Sequence, residues 1–165
     1  MERSIASVAT AGTRASRDTD ETRELGRRIG EAAVPGTVLA LIGELGAGKT
    51  LLTKGVAAGL GVGGVVNSPT FILMNEHAGR LPLYHIDAYR LDEAEDASAA
   101  GLLDERQADG VTVVEWADRL RGVLPSERLE IRLETLPDEP MHRTLRWTAR
   151  GTAHARLAAE ALTVS

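Results

Sequence analysis

Apolar positions along the chain switch between a helical period and short unbroken runs, and that alternation predicts helices interleaved with buried strands. From Asp20-Glu21-Thr22 onward, Leu25, Ile29 and Ala32-Ala33 recur at helical spacing, with acids in the first turn and Pro35-Gly36 as a stop. Val38-Leu39-Ala40-Leu41-Ile42 is apolar at every position between Gly36 and Gly43, which predicts a strand buried on both faces, as in a parallel sheet. A helix is expected over residues 50–60, ending at Gly61, and Gly-rich residues 61–64 lead into 65–73, read as a loop entering a strand. Residues 81–86 and 111–114 are short apolar strands, each running into an acid, Asp87 and Glu115. Residues 129–133 and 144–148 read as strands, and 154–162 as a terminal helix. The expected fold class is α/β, with a mixed, mostly parallel central sheet flanked by helices.

Residues 1–18 mix Ser, Ala, Thr and Gly and read as a partly disordered N-terminal leader, with one short strand around Ile5-Ala6-Ser7-Val8, before a folded domain over 19–165. A chain of 165 residues fits one domain with a sizeable core. A net charge of −5 argues against a self-sufficient nucleic-acid binder, so any RNA role requires other proteins. The absence of cysteine excludes disulfides and thiolate catalysis and fits a reducing compartment. No apolar run approaches the roughly 20 residues that span a bilayer. Arg3 is followed by no apolar signal core, and a cytoplasmic protein without membrane contact is expected.

The chemistry begins where the first strand ends. Gly43-Glu44-Leu45-Gly46-Ala47-Gly48-Lys49-Thr50 has the spacing of a Walker A phosphate loop. Such a loop needs glycines so that successive backbone N–H groups can curl inward onto phosphate oxygens. The following helix N-terminus adds partial positive charge, Lys49 reaches the β- and γ-phosphates, and the Thr50 hydroxyl can ligate Mg²⁺. At this chain's own composition, chance supplies roughly 0.003 such matches. Lys49 and Lys54 are the only lysines, which makes one in this slot the more telling. The domain is therefore expected to be a P-loop NTPase domain binding ATP with Mg²⁺ through residues 44–50.

A P-loop enzyme needs a carboxylate at a neighbouring strand end to hold Mg²⁺ directly or through water. Asp87 and Glu115 both qualify. Spacing does not choose between them, and on the residues alone Asp87 is the first choice as metal ligand. Trp116, one of two tryptophans, directly follows Glu115, and serves either as core aromatic or as part of a switch or contact surface. His85, inside an apolar strand, reads as a packed core histidine. His77, His142 and His154 lack metal-ligand spacing. The acidic run Asp92-Glu93-Ala94-Glu95-Asp96 reads as a solvated helix start.

Taken in order, GELGAGKT, Asn67-Ser68-Pro69-Thr70-Phe71, His85-Ile86-Asp87-Ala88-Tyr89-Arg90-Leu91 and Val114-Glu115-Trp116 resemble the TsaE (YjeE) family over about residues 20–150. The resemblance implies an ATPase that works with TsaD and TsaB in making threonylcarbamoyladenosine in tRNA, touching tRNA only through that complex, with hydrolysis resetting the complex between rounds. It further implies that Thr50 and Glu115 ligate Mg²⁺, that Asp87 is essential for hydrolysis, and that Ser68-Pro69-Thr70 forms a switch-like loop near the γ-phosphate. Glu115-Trp116 would be a second switch, while Thr19 and Arg143 would lie near the base. Glu44 and Leu51 depart from the family's more usual Asp and Thr.

The main rival is a P-loop small-molecule kinase, which shares the loop and the strand-end acid but usually carries an Arg-rich lid. Arg119 and Arg121 stand where such a lid would have to be sought, without a clear lid segment around them. A GTPase is disfavoured because no Asn-Lys-x-Asp motif occurs. A nucleotide-gated binding module, whose product is a conformational state, partly overlaps the ATPase reading.

Overall fold

In the computed structural model, which describes residues 9–64, 66, 67, 74–89, 91, 103 and 105–163, every position of Val38–Ile42 is buried and this strand lies at the middle of one seven-stranded sheet. The strands are β1 (Ala11–Ser16), β2 (Val38–Ile42), β3 (Met74–His77), β4 (Leu83–Asp87), β5 (Val111–Glu115), β6 (Arg128–Leu136) and β7 (Glu139–Arg150). Their spatial order is β1-β7-β6-β2-β5-β4-β3. The central four, β6-β2-β5-β4, are parallel, and antiparallel pairs close both sides. The mixed, mostly parallel sheet expected from the sequence is therefore present, and the run of unalternated apolar residues in β2 is explained by cover on both faces.

The helices are α1 (Thr19–Ala32), α2 (Lys49–Gly59) and α3 (Thr152–Ala161). Asp18 caps α1, its carboxylate accepting from Glu21 N at 2.8 Å, and Asp20 and Glu21 complement the dipole of the first turn. Leu39 and Leu41 of β2 point to the face where Leu25 and Ile29 of α1, Leu52 and Val56 of α2, and Leu157 of α3 form the larger core. Each such fully buried leucine contributes about 2 kcal/mol relative to exposure. Ala40 and Ile42 point the other way, into a smaller cluster with Ile86, Leu91, Val114 and Leu120, the last from a 3₁₀ turn over Ala117–Leu120.

α1 and α2 meet backbone to backbone. A Cβ placed on Gly30 would lie 2.2 Å from Val56 O, and one on Gly55 2.2 Å from Arg23 O. Only glycine permits that approach, which seats the N-terminus of α2 over the ends of β2 and β5.

Two sequence expectations shift. Residues 11–16, assigned to the leader, form β1 and pair antiparallel with Thr148 back to Arg143 of β7. The ordered fold thus starts before residue 19. The strand expected after the Gly-rich loop is β3, at Met74–His77. The possible strand at 5–8, the acidic run 92–96 and the Ser68-Pro69-Thr70 segment lie outside the described residues. Among the described residues no helix is long and apolar enough to cross a membrane.

Candidate functional site

The loop from Gly43 to Thr50 joins the end of β2 to the start of α2. Gly48 is the N-cap of α2 with φ of +108°, a left-handed conformation that turns the chain into the helix and that an L side chain would strain. No side chain caps α2 at this end, so the helix N-terminus faces the cleft with its backbone N–H groups.

Lys49 is folded back over this loop, only 4% exposed. Its Nζ donates to Gly43 O at 2.5 Å and Glu44 O at 2.8 Å. The same ammonium sits 4.0 Å from the centre of the Trp116 ring. Burial pushes the Lys49 amine below its ordinary pKa, while Glu115, Asp118, Asp87 and Glu44 push it back up.

The two strand-end acids arrive side by side because β4 and β5 are parallel and Asp87 is in register with Glu115. They are not equivalent. Glu115 is 2% exposed, and its Oε1 accepts from Thr50 Oγ1 at 2.9 Å. Its Oε2 lies 2.5 Å from His85 Nε2 and 3.4 Å from Thr53 Oγ1. Asp87 is half-buried at the cleft, and its Oδ1 accepts from Tyr89 N at 2.9 Å. Burial raises the Asp87 carboxyl above its ordinary pKa, against the lowering effect of that backbone bond.

Trp116 has φ of +58°, the one non-glycine residue in the left-handed region among the described residues. That turn swings its ring out of the β5 line and onto Lys49 and Tyr89, whose ring centroid is 4.7 Å away at an interplanar angle of 49°. Arg119 lies over the other aromatic, 5.6 Å from the Tyr89 centroid, and its Nη1 reaches Leu91 O at 3.4 Å. On the opposite rim, Arg143 of β7 holds the loop from outside, with Nε donating to Ala47 O at 2.8 Å and Nη2 to Gly46 O at 3.2 Å.

Of these groups, Lys49, Thr50, Asp87, Tyr89, Glu115, Trp116 and Arg143 line an open cleft of ≈ 490 Å³. Of the residues singled out in the sequence, Thr19, Leu45, Gly46, Gly48, Lys49, Thr50, Asp87, Glu115 and Arg143 all border it. Glu44 and Ala47 instead face a smaller neighbouring recess of ≈ 280 Å³ beside Arg132 and Glu134. Thr70 lies outside the described residues. Tyr89 and Thr53 carried no role in the sequence, and His85, expected there as a packed core histidine, is buried but also meets Glu115 Oε2. Tyr89 and His85 stand in the quoted strand-end segment, so proximity to Asp87 was the available signal. Thr53 is one turn beyond Thr50 on α2 and could have been found by helical spacing.

The chain is similar to known proteins over most of its length. The family model for "Threonylcarbamoyl adenosine biosynthesis protein TsaE" matches residues 16–145. The tRNA threonylcarbamoyladenosine biosynthesis protein TsaE of Bacillus subtilis is 44% identical over 143 residues, 86% of this chain and 87% of that one. The Streptomyces coelicolor protein of the same name is 45% identical over 119 residues, covering 68% and 78%. The crystal structure of Bacillus subtilis YdiB superposes with a TM-score of 0.75 at 35% identity, over 91% of this chain and 93% of that chain. With a family model spanning most of the chain and relatives at this identity, the chain belongs to the TsaE family of tRNA threonylcarbamoyladenosine biosynthesis proteins.

Proposed function

We propose that the chain binds ATP with Mg²⁺ in the 490 Å³ cleft and hydrolyses it slowly alone, and that it acts with TsaD and TsaB to reset the complex that makes N6-threonylcarbamoyladenosine in tRNA. The observation that carries the reading is the direct Thr50 Oγ1 to Glu115 Oε1 contact at 2.9 Å beneath the uncapped start of α2. It brings the hydroxyl of a phosphate loop and a strand-end carboxylate to one point.

The donor set suits a hard divalent cation. Thr50, Glu115 and Asp87 present oxygen ligands at the inner end of the cleft, and Mg²⁺ is typically held by one or two carboxylates together with substrate phosphates and water. Among the described residues no three His, Cys, Asp or Glu side chains are grouped to hold a metal by themselves. Thr50 and Glu115 would hold the ion, with Asp87 beside them, and the ion would neutralise charge developing on the phosphates.

The chain's own residues supply the rest. The α2 N-terminus and loop N–H groups orient the phosphates. Lys49, whose present acceptors are two loop carbonyls, exchanges them for phosphate oxygens, a stronger charge-assisted contact. Asp87, raised in pKa by burial, is suited to orient attacking water and take its proton. A kinase reading finds less support, because Arg119 is engaged by Tyr89 and Leu91 O rather than aimed over the loop.

The test is reconstitution. Purified chain should bind ATP and turn it over slowly, and its omission from a TsaD–TsaB mixture should stop nucleoside formation after about one round. Unchanged modification under multiple-turnover conditions without it rules out the proposed role, and phosphorylation of a metabolite in the absence of those proteins favours a kinase.

A further inference from the structure

His85 does no work in the reading above, yet it is completely buried with its Nε2 2.5 Å from Glu115 Oε2. Its Nδ1 is also buried and has no hydrogen-bond partner among the described residues. A histidine retained in an apolar strand with one nitrogen unsatisfied costs stability, and a leucine of similar size would fill the position without that cost. The ring is therefore explained by what its other nitrogen does.

Strand register supplies the geometry. His85, Asp87, Val113 and Glu115 alternate onto the same face of β4 and β5, the face covered by α2. Thr50 and Thr53, three residues apart on α2, both reach Glu115 from above. The carboxylate is gripped on two sides: Oε1 takes the Thr50 hydroxyl at the cleft, and Oε2 takes the His85 ring, with Thr53 at longer range. An ionised carboxylate only accepts, so the proton of that short bond belongs to Nε2. With Oε2 held in the interior, the rotation of the carboxylate about its final bond is fixed and Oε1 is the oxygen left facing Thr50.

We infer that His85 is a positioning residue for the Mg²⁺-nucleotide state: it holds Glu115 Oε2 so that Oε1 meets the cation beside Thr50. This rests on the Mg²⁺-ATP reading of the cleft. Groups that orient a metal ligand typically affect metal affinity by about 10- to 100-fold when removed. Removal should therefore alter the Mg²⁺ requirement and leave the metal-independent grip of the loop on phosphate in place.

The experiment measures ADP affinity by calorimetry for wild type, His85→Leu and His85→Gln, with Mg²⁺ titrated and again in EDTA. We expect His85→Leu to need about 10-fold or more additional Mg²⁺ for half-saturation, with affinity in EDTA unchanged within about twofold. His85→Gln, which restores an N–H donor, should recover most of the difference. Equal Mg²⁺ dependence in His85→Leu and wild type overturns the inference while leaving the cleft assignment intact. A wild type that binds ADP no better with Mg²⁺ than in EDTA overturns both. Should His85→Leu not fold, ¹⁵N-histidine spectra of wild type decide: a protonated, exchange-protected Nε2 that shifts when Mg²⁺ joins bound ADP supports the role, and a bare Nε2 or one indifferent to Mg²⁺ overturns it.

Discussion

Lys49 Nζ lies 4.0 Å from the centre of the Trp116 ring while donating to the carbonyls of Gly43 and Glu44, so the cation of the phosphate loop is satisfied by the protein itself. On the proposed ATP reading, a phosphate would compete with these contacts with full negative charge where the carbonyls offer only dipoles. Lys49→Ala is therefore expected to weaken ATP binding by about 100-fold, the worth of one or two hydrogen bonds to a charged group. Calorimetric titration checks it, and affinity within about threefold of wild type removes the loop from the phosphate site.

The difference in burial between the paired acids predicts different failures. Glu115 touches Thr50 and should matter for Mg²⁺, while Asp87 faces the cleft half-buried. Glu115→Ala is expected to lose Mg²⁺-dependent turnover with nucleotide binding partly kept. Asp87→Asn should lose turnover while its Mg²⁺ requirement changes little. Unaltered turnover in Glu115→Ala would return the role to Asp87 alone.

The raised Asp87 pKa adds a sign. A carboxylate acting as base works only when ionised, and activity falls as pH drops through its folded pKa. Because burial lifts that pKa above the ordinary 3.8, the acid limb of the turnover profile should lie above that ordinary value. Glu115 also raises the Asp87 pKa, so Glu115→Gln, judged on its residual turnover, should move the limb downward. A limb at the ordinary value, or one that Asp87→Asn leaves in place, counts against Asp87 as the base.

Much of the fold and of the candidate site was legible in the sequence because the candidate groups stand at ends of strongly apolar strands. The run 38–42 leading into three glycines and Lys49 announced a buried strand, a turn and a helix, and Asp87 and Glu115 marked two more strand ends. What the sequence could not give was register. Only the parallel pairing that sets Asp87 opposite Glu115 also puts His85 on the same face, and a lone histidine among apolar residues looks the same whether it packs or holds a ligand. β1 escaped for another reason. As an edge strand it is half-covered, and its Ala-Gly-Thr-Arg-Ala-Ser sequence has no apolar alternation. Gly12 is where the Trp147 ring lies across it, a Cβ there falling 2.7 Å from the ring.

The glycine contact between α1 and α2 should be among the least tolerant positions. Gly55→Ala places a Cβ 2.2 Å from the Arg23 carbonyl. Backbone cannot yield as a flexible side chain can, so α2 must move off α1 and carry Thr50 and Thr53 with it. A loss of about 1–3 kcal/mol is expected, read as a lowered denaturant midpoint together with weaker nucleotide binding. Stability like wild type would show that the helices separate at little cost.

The last consequence concerns acid stability. His154 on α3 accepts the Val38 N–H through Nε2 at 3.0 Å, tying the helix to the start of β2. Burial lowers its pKa below the ordinary 6.5, against a smaller upward pull from Glu127. The neutral ring is the one that can accept this bond, and the unfolded chain takes up the proton more readily than the folded one. Stability from His154 is thus fully present above the unfolded value and is lost as pH falls below about 6.5 toward the folded pKa. His77, also lowered by burial, contributes in the same sense. His154→Gln keeps an acceptor for Val38 without titrating, so its melting temperature should fall less than wild type's between pH 7.5 and 5.5. Parallel curves for the two proteins would show that protonation of His154 does not contribute to the acid sensitivity of this fold.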